Sequence, residues 1–401
     1  IENSLLHPFQ SGFRAGHSCS TAVLKVLGDV RPNYDDGMLK LLCLLDFSKA
    51  FDMVNHVLLC SKLKDLFAFS DSAVCLLKSY LSNRTQKVKC GFGLSQLGFI
   101  SSGVPQGFVL GPLLFSLFIN DIFMSCMSSS IHAYADDIQI YISGKNNLKE
   151  HLVHTLNEDL NCILLWANKN RLILNPSKSF VLPISKESVY FCDFSDVYVD
   201  THKLKVVAKI VNLGYRINTK LSCTDHINYL VRQIYLALRS LKQSAAFTPL
   251  VIRRKLVMQL ILPHITYSSV VFSKLDSCSY LKLSVAFNNA TRYVYGIRYF
   301  EQIGEYKRGI IGCDVFNYLN ARNCIFLHKL IYKRTPFYLF DKLSFGHSRR
   351  SVLLIIQPFK SLNTSRFFFI NAVRLWNSLP SSLRLKFNWD FRKIPSEALG
   401  E

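Results

Sequence analysis

The stretch Tyr134-Ala135-Asp136-Asp137 places two neighbouring carboxylates after an aromatic and a small residue. Apolar residues flank it on both sides, namely Ile131, Ile138, Ile140 and Tyr141. This content predicts a strand, a tight turn and a second strand. Two like charges at a hairpin tip repel each other unless a cation lies between them. The stretch therefore indicates either a metal-binding hairpin or, since Asp is a common turn residue, an ordinary surface turn.

The composition describes a folded chain of 401 residues, of which 49% are hydrophobic and 19% are charged. That length allows two or three domains, each with its own core. The longest apolar runs, such as Leu41–Leu45, are far too short to span a bilayer, and no signal segment is recognisable at the start. Because the first residue is Ile, we expect further residues upstream. The 12 cysteines include no Cys-x-x-Cys pair, which favours free thiols over disulfides or a zinc site.

The net charge of +21 is concentrated in the second half of the chain. Residues 201–401 hold 31 Lys and Arg against 9 Asp and Glu, whereas residues 1–200 are nearly balanced. Aromatic residues are interleaved with basic ones, among them Arg253-Arg254-Lys255 and Arg349-Arg350. This pattern favours a nucleic-acid partner over a merely soluble basic domain.

A second carboxylate follows the apolar run Leu39–Leu45, which predicts a strand covered on both faces. Asp46 stands at the end of this run, where a charge needs a partner or a cation. Asp52 follows shortly afterwards, and we expect it to support the turn rather than bind metal.

Two glycine-rich segments predict shaped loops. Gly103–Pro112 contains three Gly and two Pro, so its backbone allows close approach of another molecule, and Gln106 can hydrogen-bond a base or a sugar. Arg14 lies in an earlier Gly-containing loop, where its fork suits a phosphate, although a solvated loop arginine is an equal alternative.

Periodicity predicts several further elements. They are an amphipathic helix over 147–167, a β-hairpin within 205–217, a helix over 225–244, a strand over 86–90, and short strands over 353–357 and 367–369.

Taken in order, these motifs resemble the reverse transcriptase of non-LTR retrotransposons of the LINE, jockey-like kind. The matching stretches are 10–18, 45–52, 103–112, 134–137, 174–178 and 213–226. The resemblance implies an α+β fold, a right-hand polymerase with partial fingers, an antiparallel-sheet palm and a helical thumb, followed by a basic, mainly helical C-terminal region. The implied domains are 1–224 for fingers and palm, 225–300 for the thumb, and 301–401 for the basic region of unknown role.

The resemblance also implies roles for individual residues. Metal ions, two Mg²⁺ with Mn²⁺ as a possible substitute, would be held by Asp46, Phe47, Asp136 and Asp137. Lys178 would be a catalytic proton donor near the pyrophosphate. Nucleotide contacts would come from Arg14, Phe51, Gln106 and Gly107, with Phe51 excluding a ribose 2′-hydroxyl. Primer and template contacts would come from Tyr134, Leu213 and Gly214.

The implied activity is RNA-directed DNA synthesis from a DNA 3′-hydroxyl. Its partners would be an RNA template, a DNA primer or target and dNTPs, with no membrane. The expected location is intracellular, in the nucleus or cytoplasm as a ribonucleoprotein.

Two departures from the family pattern are visible in the sequence. Phe108 replaces the usual Ser, and the chain opens within the fingers, so the sequence suggests an N-terminally truncated copy. Two alternatives therefore stay open: an inactive nucleic-acid-binding remnant and an RNA-dependent RNA polymerase. Phe51 argues against the second.

Overall fold

The computed structural model describes residues 5–188, 190–346 and 353–384. The basic pair Arg349-Arg350 and the end of the predicted 301–401 region lie outside these residues. Within the described part of the chain, no helix is long and apolar enough to cross a membrane.

Fifteen helices and fifteen strands are formed by the described residues. The helices are α1 Cys19–Val30, α2 His56–Asp65, α3 Asp71–Leu81, α4 Leu110–Phe118, α5 Lys149–Lys169, α6 Thr224–Gln243, α7 Leu250–Leu256, α8 Leu262–Thr266, α9 Ser277–Tyr295, α10 Gly304–Ile311, α11 Val315–Lys333, α12 Phe337–Phe340, α13 Leu362–Ser365, α14 Phe368–Ser378 and α15 Ser381–Arg384. The strands are β1 Leu39–Leu45, β2 Arg84–Gln86, β3 Lys89–Cys90, β4 Gly93–Leu94, β5 Gly98–Ile100, β6 Ser130–Tyr134, β7 Asp137–Gly144, β8 Phe180–Ile184, β9 Tyr198–Val199, β10 His202–Lys203, β11 Lys205–Val206, β12 Lys209–Asn212, β13 Tyr215–Asn218, β14 Ser344–Phe345 and β15 Leu354–Ile355.

The chain divides into two compact units. The first comprises residues 1–18 and 37–208, and the second comprises residues 19–36 and 209–401. The predicted domain boundaries at 224 and 300 separate parts of a polymerase by their function, and they stay predictions.

A five-stranded sheet forms the centre of the first unit, in the order β11-β8-β1-β7-β6. All neighbouring strands are antiparallel except β8 and β11. Strand β1 lies in the middle, and Leu41 and Cys43 on it are fully buried. Its nearly continuous apolar sequence is explained by this position, because both of its faces are covered.

Helix α5 belongs to the core of the first unit. Its buried residues recur at helical spacing, namely Leu152, Leu156, Leu160, Ile163 and Ala167. The buried carboxylate of Asp159 on the same helix accepts hydrogen bonds from the backbone N–H groups of Met127, Ser128 and Ser129. This contact fixes the segment that leads into β6.

The glycine-rich loop is attached to the turn that follows β1. The backbone N–H of Gly103 donates to the Val54 carbonyl at 2.8 Å, and that of Val104 donates to the Phe51 carbonyl at 2.9 Å. Gly103 has a φ of 89°, and a Cβ there would lie 2.8 Å from the Asp52 Cα atom. Glycine is therefore required at this position for both conformation and close approach.

The second unit is mainly helical. Helices α6 and α9 pack together, as do α11 and α14, where Trp376 is fully buried. Asp276 and Asp314 cap α9 and α11 by accepting from backbone N–H groups. Strands β12 and β13 form a hairpin beside α6.

The sequence predicted some elements correctly and others wrongly. The helices over 147–167 and 225–244 are confirmed as α5 and α6, and the hairpin within 205–217 as β12–β13. The single strand over 86–90 is wrong, because β2 and β3 are separate and pair with different partners. The strand over 367–369 is wrong as well, since Phe367 is the N-cap of the buried helix α14, and Phe368 and Phe369 begin that helix. Phe is common in strands, but packing decides its structure here.

Replacing Gly103 with Ala tests the attachment of this loop. We expect Gly103→Ala to lower the free energy of unfolding by about 3 kcal/mol, because the energetic cost of a positive φ and the cost of a backbone clash add together. Gly107→Ala is the matched control, since φ is 84° and a Cβ would meet nothing within 4 Å; it should cost about 1 kcal/mol. If urea unfolding showed the same loss of free energy of unfolding for both variants, the close approach of Gly103 to Asp52 would be contradicted.

Candidate active site

Three carboxylates meet at one end of the central sheet. Leu45 at the end of β1 pairs with Ile138 on β7 in antiparallel register. Continued by one residue, this register places Asp46 across from Asp137, and the charge of Asp46 acts on Asp137. Asp136 precedes Asp137 in the turn between β6 and β7. Strand register thus brings Asp46 beside the acidic hairpin, and the shared metal site stays a prediction.

The hairpin turn consists of Ala135 and Asp136, because Tyr134 and Asp137 form the last pair of β6 and β7. Ala135 has a φ of 55°. A positive φ at the first loop residue suits a two-residue hairpin turn but disfavours residues other than Gly. A side chain in this region costs about 1–3 kcal/mol, so surrounding contacts must hold the turn in place.

The Gln10 side chain supplies one such contact. Its Oε1 accepts hydrogen bonds from the Gly12 N–H at 2.9 Å and the Ala135 N–H at 3.1 Å. The residue itself is fully buried. A Cβ on Gly12 would lie 2.4 Å from the Ala135 nitrogen, so only glycine allows this approach. The loop over 10–12 therefore packs against the backbone of the acidic turn and stabilises its conformation.

A buried polar chain supports the same hairpin. His132 on β6 lies between the Ser11 hydroxyl, 3.0 Å from Nε2, and the Gln139 Oε1 atom, 2.6 Å from Nδ1. Because a carbonyl oxygen accepts, Nδ1 carries the proton and donates, whereas Nε2 accepts from Ser11. The Gln139 amide in turn donates to the Asp137 carbonyl oxygen at 3.2 Å. This chain of hydrogen bonds links the 10–12 loop to the backbone of a candidate metal ligand.

The segment 174–179 fixes Asp46 from the other side. The Asn175 N–H donates to the Asp46 carbonyl at 2.8 Å, and the Asp46 N–H donates to the Ser179 hydroxyl at 3.2 Å. Phe47 forms a β-bridge with Leu174, and its ring packs edge-on against Trp166 in the core. Lys178 ends the adjoining 3₁₀ turn Pro176–Lys178 and is exposed. The structure thus brings the predicted 174–178 motif next to Asp46.

Desolvation, together with electrostatic repulsion, raises the pKa values of the acidic hairpin. Desolvation, then the charges of Asp136 and Asp46, raise the pKa of Asp137 to about 6 from its ordinary value near 3.8. Desolvation and the charge of Asp46 also raise the pKa of Asp136. Asp137 is exposed as a whole residue, so water is excluded from only part of its carboxylate surroundings. The three groups therefore act on one another through their charges.

The donor chemistry of the three carboxylates fits a hard divalent cation. Among the described residues, no group of three His, Cys, Asp or Glu side chains is arranged to hold a metal ion by itself. Mg²⁺ is usually bound by one or two carboxylates together with substrate phosphates and water, rather than by an all-protein cage. Mutual repulsion among Asp46, Asp136 and Asp137 is what a bound cation would relieve.

Phe51 is held by aromatic contacts beside the turn after β1. Its half-buried ring stacks on Phe115 at a centroid distance of 4.0 Å and an angle of 17°. The edge-on ring of Phe13 lies 6.1 Å away. Phe51 is therefore a fixed, flat surface.

Gln106 and Arg14 already have partners within the protein. The Gln106 amide donates to the Asp52 carboxylate at 2.9 Å, and thereby ties the glycine-rich loop to the turn. The Arg14 Nη1 donates to the carbonyls of His7 at 3.0 Å and Gln10 at 3.3 Å. Both side chains thus stabilise the conformation of their loops. These contacts do not test whether either side chain binds a nucleotide.

Leu213 and Gly214 lie in the second unit as the two-residue turn between β12 and β13. Both have positive φ, 46° and 77°. The Tyr267 hydroxyl donates to the Leu213 carbonyl at 2.6 Å and holds the turn.

The buried support of the hairpin was not predicted from the sequence; it comprises Gln10, Ser11, His132 and Gln139. One signal was present: His132 and Gln139 interrupt otherwise apolar strand residues. A polar residue in a buried strand requires a hydrogen-bond partner, so the pair could have been sought there.

The metal-free protein should reveal the raised pKa of Asp137, caused by desolvation and repulsion, as a pH-dependent stability. A raised carboxyl pKa means that the folded state loses stability as pH rises from about 4 to about 6. Asp137→Asn should therefore raise the free energy of unfolding at pH 7 by about 1 kcal/mol, after allowance for solvent screening. Urea unfolding should show this gain disappearing below pH 4. Asp200→Asn, an exposed control, should give no pH-dependent gain. An equal gain for Asp137→Asn at pH 4 and pH 7 would contradict the raised pKa of Asp137.

Comparisons with known proteins show which family the chain resembles. A family model described as "Reverse transcriptase (RNA-dependent DNA polymerase)" matches residues 1–217. The chain is 26% identical over 313 residues to the "Probable RNA-directed DNA polymerase from transposon BS" of Drosophila melanogaster, covering 75% of this chain and 34% of that protein. It is 32% identical over 177 residues to the "RNA-directed DNA polymerase from mobile element jockey" of Drosophila funebris, covering 42% of this chain and 19% of that protein.

The chain thus spans about a third of the first relative and about a fifth of the second. The family model covers more than half of the chain and includes all three carboxylates. These relatives confirm the resemblance to jockey-like elements that the motifs predicted. The chain belongs to the reverse transcriptase family, in its non-LTR, LINE-type branch.

Proposed function

We propose that this chain is an RNA-directed DNA polymerase that copies retrotransposon RNA by extending a DNA 3′-hydroxyl with dNTPs, in target-primed reverse transcription. The observation that carries the proposal is the strand register that sets Asp46 opposite Asp137, with Asp136 in the adjoining turn. Membership of the reverse transcriptase family supports it.

In this proposal the five-stranded sheet is the polymerase palm. Residues 1–224 would form the palm with partial fingers, and 225–300 a helical thumb. The basic residues of 301–401 and of the thumb would contact nucleic-acid phosphates, in a manner weakened by salt.

Asp46, Asp136 and Asp137, together with the backbone of Phe47, would hold Mg²⁺, or Mn²⁺ in its place. When bound, two such ions activate the primer hydroxyl and stabilise the departing pyrophosphate. The protein contributes position: the Gln10 contact and the 174–179 segment fix the backbones from which the carboxylates project. Lys178, exposed beside Asp46, would donate a proton to the leaving group.

Nucleotide selection would depend on Phe51. Because its ring is stacked on Phe115, it cannot easily rotate away from a sugar that carries a 2′-hydroxyl. Gln106 and Gly107 would border the nucleotide and template, and Arg14 would bind the triphosphate through guanidinium nitrogens other than Nη1. Tyr134 and the Leu213–Gly214 turn would contact the primer.

The alternative is a catalytically inactive nucleic-acid-binding remnant of such an element. Primer extension on an RNA template separates the two, because a remnant would bind nucleic acid without incorporating nucleotides.

Substitution of Asp136 tests the polymerase assignment. With an RNA template, a DNA primer, dNTPs and Mg²⁺, we expect the chain to extend the primer and Asp136→Ala to reduce kcat roughly 100- to 1,000-fold. Asp65→Ala, a control at an exposed helix end of the same unit, should retain activity. Extension that survives Asp136→Ala would refute the assignment, and incorporation of NTPs as readily as dNTPs would indicate an RNA polymerase.

Substitution of Phe51 tests whether its ring acts as a sugar gate, that is, whether it excludes nucleotides with a 2′-hydroxyl. Phe51→Ala should raise kcat/KM for NTPs relative to dNTPs by about tenfold or more, because the ring that excludes the 2′-hydroxyl is removed. Phe51→Tyr keeps the ring and should keep the selectivity. Phe13→Ala removes only the edge-on neighbour and serves as the control for local loosening. Unchanged selectivity in Phe51→Ala would count against the gate.

A further inference from the structure

A small cavity of about 50 Å³ lies within the second unit. All of its lining residues belong to that unit, and they come mainly from the end of α1, from β13 and from the segments that lead into α6, α9 and α14. One water needs roughly 10–15 Å³ of such space, so the cavity has room for about three to five water-sized atoms. It is therefore large enough for a small inorganic ion and too small for a nucleotide.

Three helices begin at the wall of this cavity. Cys223, Asp276 and Phe367 are the N-cap residues of α6, α9 and α14, and all three line the cavity. The helices have 20, 19 and 11 residues, so each carries a partial positive charge at its start. Asp276 caps α9 by accepting from the Ser279 N–H, whereas neither Cys223 nor Phe367 makes a capping hydrogen bond. The starts of α6 and α14 thus keep backbone N–H groups that their N-cap side chains do not satisfy.

The Arg31 guanidinium supplies a buried charge at the same wall. The residue is 9% exposed, and its Nη1 and Nη2 atoms donate to the carbonyls of Asn363 at 3.0 Å and Leu221 at 2.9 Å. Both acceptor residues line the cavity, so the guanidinium lies against it. Its Nε is buried and has no hydrogen-bond partner among the described residues. A buried cation whose only acceptors are neutral carbonyls is stabilised by a counterion.

Positive charge dominates the lining of the cavity. Arg31, Lys274 and Arg366 are cationic, and Asp276 is the only carboxylate among the described lining residues. In the part of the chain that the structure describes, none of the three cations forms a salt bridge. The charge of Asp276 acts on Arg366, and that of Asp35 acts on Arg31, without such a contact. An anion is therefore the complementary ligand.

We propose that this cavity binds one small tetrahedral oxyanion of the inorganic phosphate class. The Arg31 Nε, the Arg366 guanidinium and the backbone N–H groups at the starts of α6 and α14 are its donors, since guanidinium groups and helix starts both favour oxyanions. The ion neutralises Arg31 and joins segments that are distant in the sequence, so it stabilises the second unit.

This inference goes beyond the proposed function, which assigns the basic residues of the second unit to nucleic-acid phosphates. A free phosphate ion and a phosphate within a nucleic-acid chain share the same chemistry. The small volume of the cavity and the burial of Arg31 favour the free ion. The experiment must therefore distinguish these two sources.

Phosphorus-31 NMR of inorganic phosphate tests the site without any catalysis. Phosphate is titrated from about 0.1 to about 20 mM against the whole chain, without divalent metal and with sodium chloride keeping the ionic strength constant. We expect saturable broadening of the phosphate resonance, with a Kd of about 1 mM and one ion per chain. The midpoint of thermal unfolding should rise over the same range, because the ion binds the folded state.

Substitution of the lining cations should weaken this binding. Arg366→Gln should raise the Kd about tenfold or more, whereas Arg366→Lys keeps the charge and should raise it only about threefold. Arg31→Met keeps the length of the side chain and should abolish binding; if this variant fails to fold, the Arg366 variants still decide the question.

Two matched controls should leave the Kd unchanged. Arg253→Met alters an arginine of the same unit that also donates to backbone carbonyls but does not line the cavity. Arg14→Gln removes the arginine that the proposed function assigns to the triphosphate, and it shows that the bound phosphate lies elsewhere.

Absence of saturable phosphate binding in the unmodified chain would overturn the proposal, as would an unchanged Kd in Arg366→Gln. Displacement of phosphate by a short DNA oligonucleotide at equal phosphate concentration would assign the cavity to a nucleic-acid chain, and would overturn it too. The outcome is separable from the proposed function. Phosphate binding by a chain that extends no primer supports the anion site and refutes the polymerase, and primer extension without phosphate binding does the reverse.

Discussion

The pairing of Leu45 with Ile138 is the constraint on which the rest of the site depends. Side chains alternate along a strand, so a slip of one residue would turn Asp46 away from the acidic hairpin and expose the apolar face of β1. Burial of that strand on both sides therefore fixes the register, and the register fixes which carboxylates meet. The hydrophobic core and the chemistry are determined by the same interaction.

This arrangement is electrostatically unfavourable without a cation. Desolvation and mutual repulsion raise the pKa values of Asp136 and Asp137, and Ala135 adds a disfavoured backbone conformation. The opposing contacts are neutral: the Gln10 carbonyl oxygen on the Ala135 N–H, and the chain through His132 and Gln139 to the Asp137 carbonyl. These hydrogen bonds fix the backbone and leave the carboxylate oxygens available to bind a cation. This suits a site whose negative charge is balanced by what it binds.

The sequence predicted the parts of this site that depend on local pattern. Adjacent acids between apolar strands indicated a hairpin, and the apolar run before Asp46 indicated a buried strand. Two of the supporting contacts, Ser11 with His132 and Gln10 with Ala135, join residues more than 120 positions apart, so periodicity does not indicate these partners. The strand predicted over Phe367–Phe369 was wrong for a related reason. The intrinsic preference of Phe for strands is overridden here by tertiary packing of α14. The register itself was not predicted; the family resemblance implied only that Asp46 and the acidic hairpin hold the same metal ions.

Binding of Mn²⁺ is the measurement that tests the central claim most directly. Electron paramagnetic resonance can count Mn²⁺ bound to the chain in the presence of a dNTP and a primer whose 3′ end cannot be extended. The account predicts two bound ions, and loss of binding in Asp46→Asn although this residue lies some 90 positions from the acidic hairpin. Binding that is unchanged by Asp46→Asn would show that strand register does not create a shared cation site, and would contradict the account.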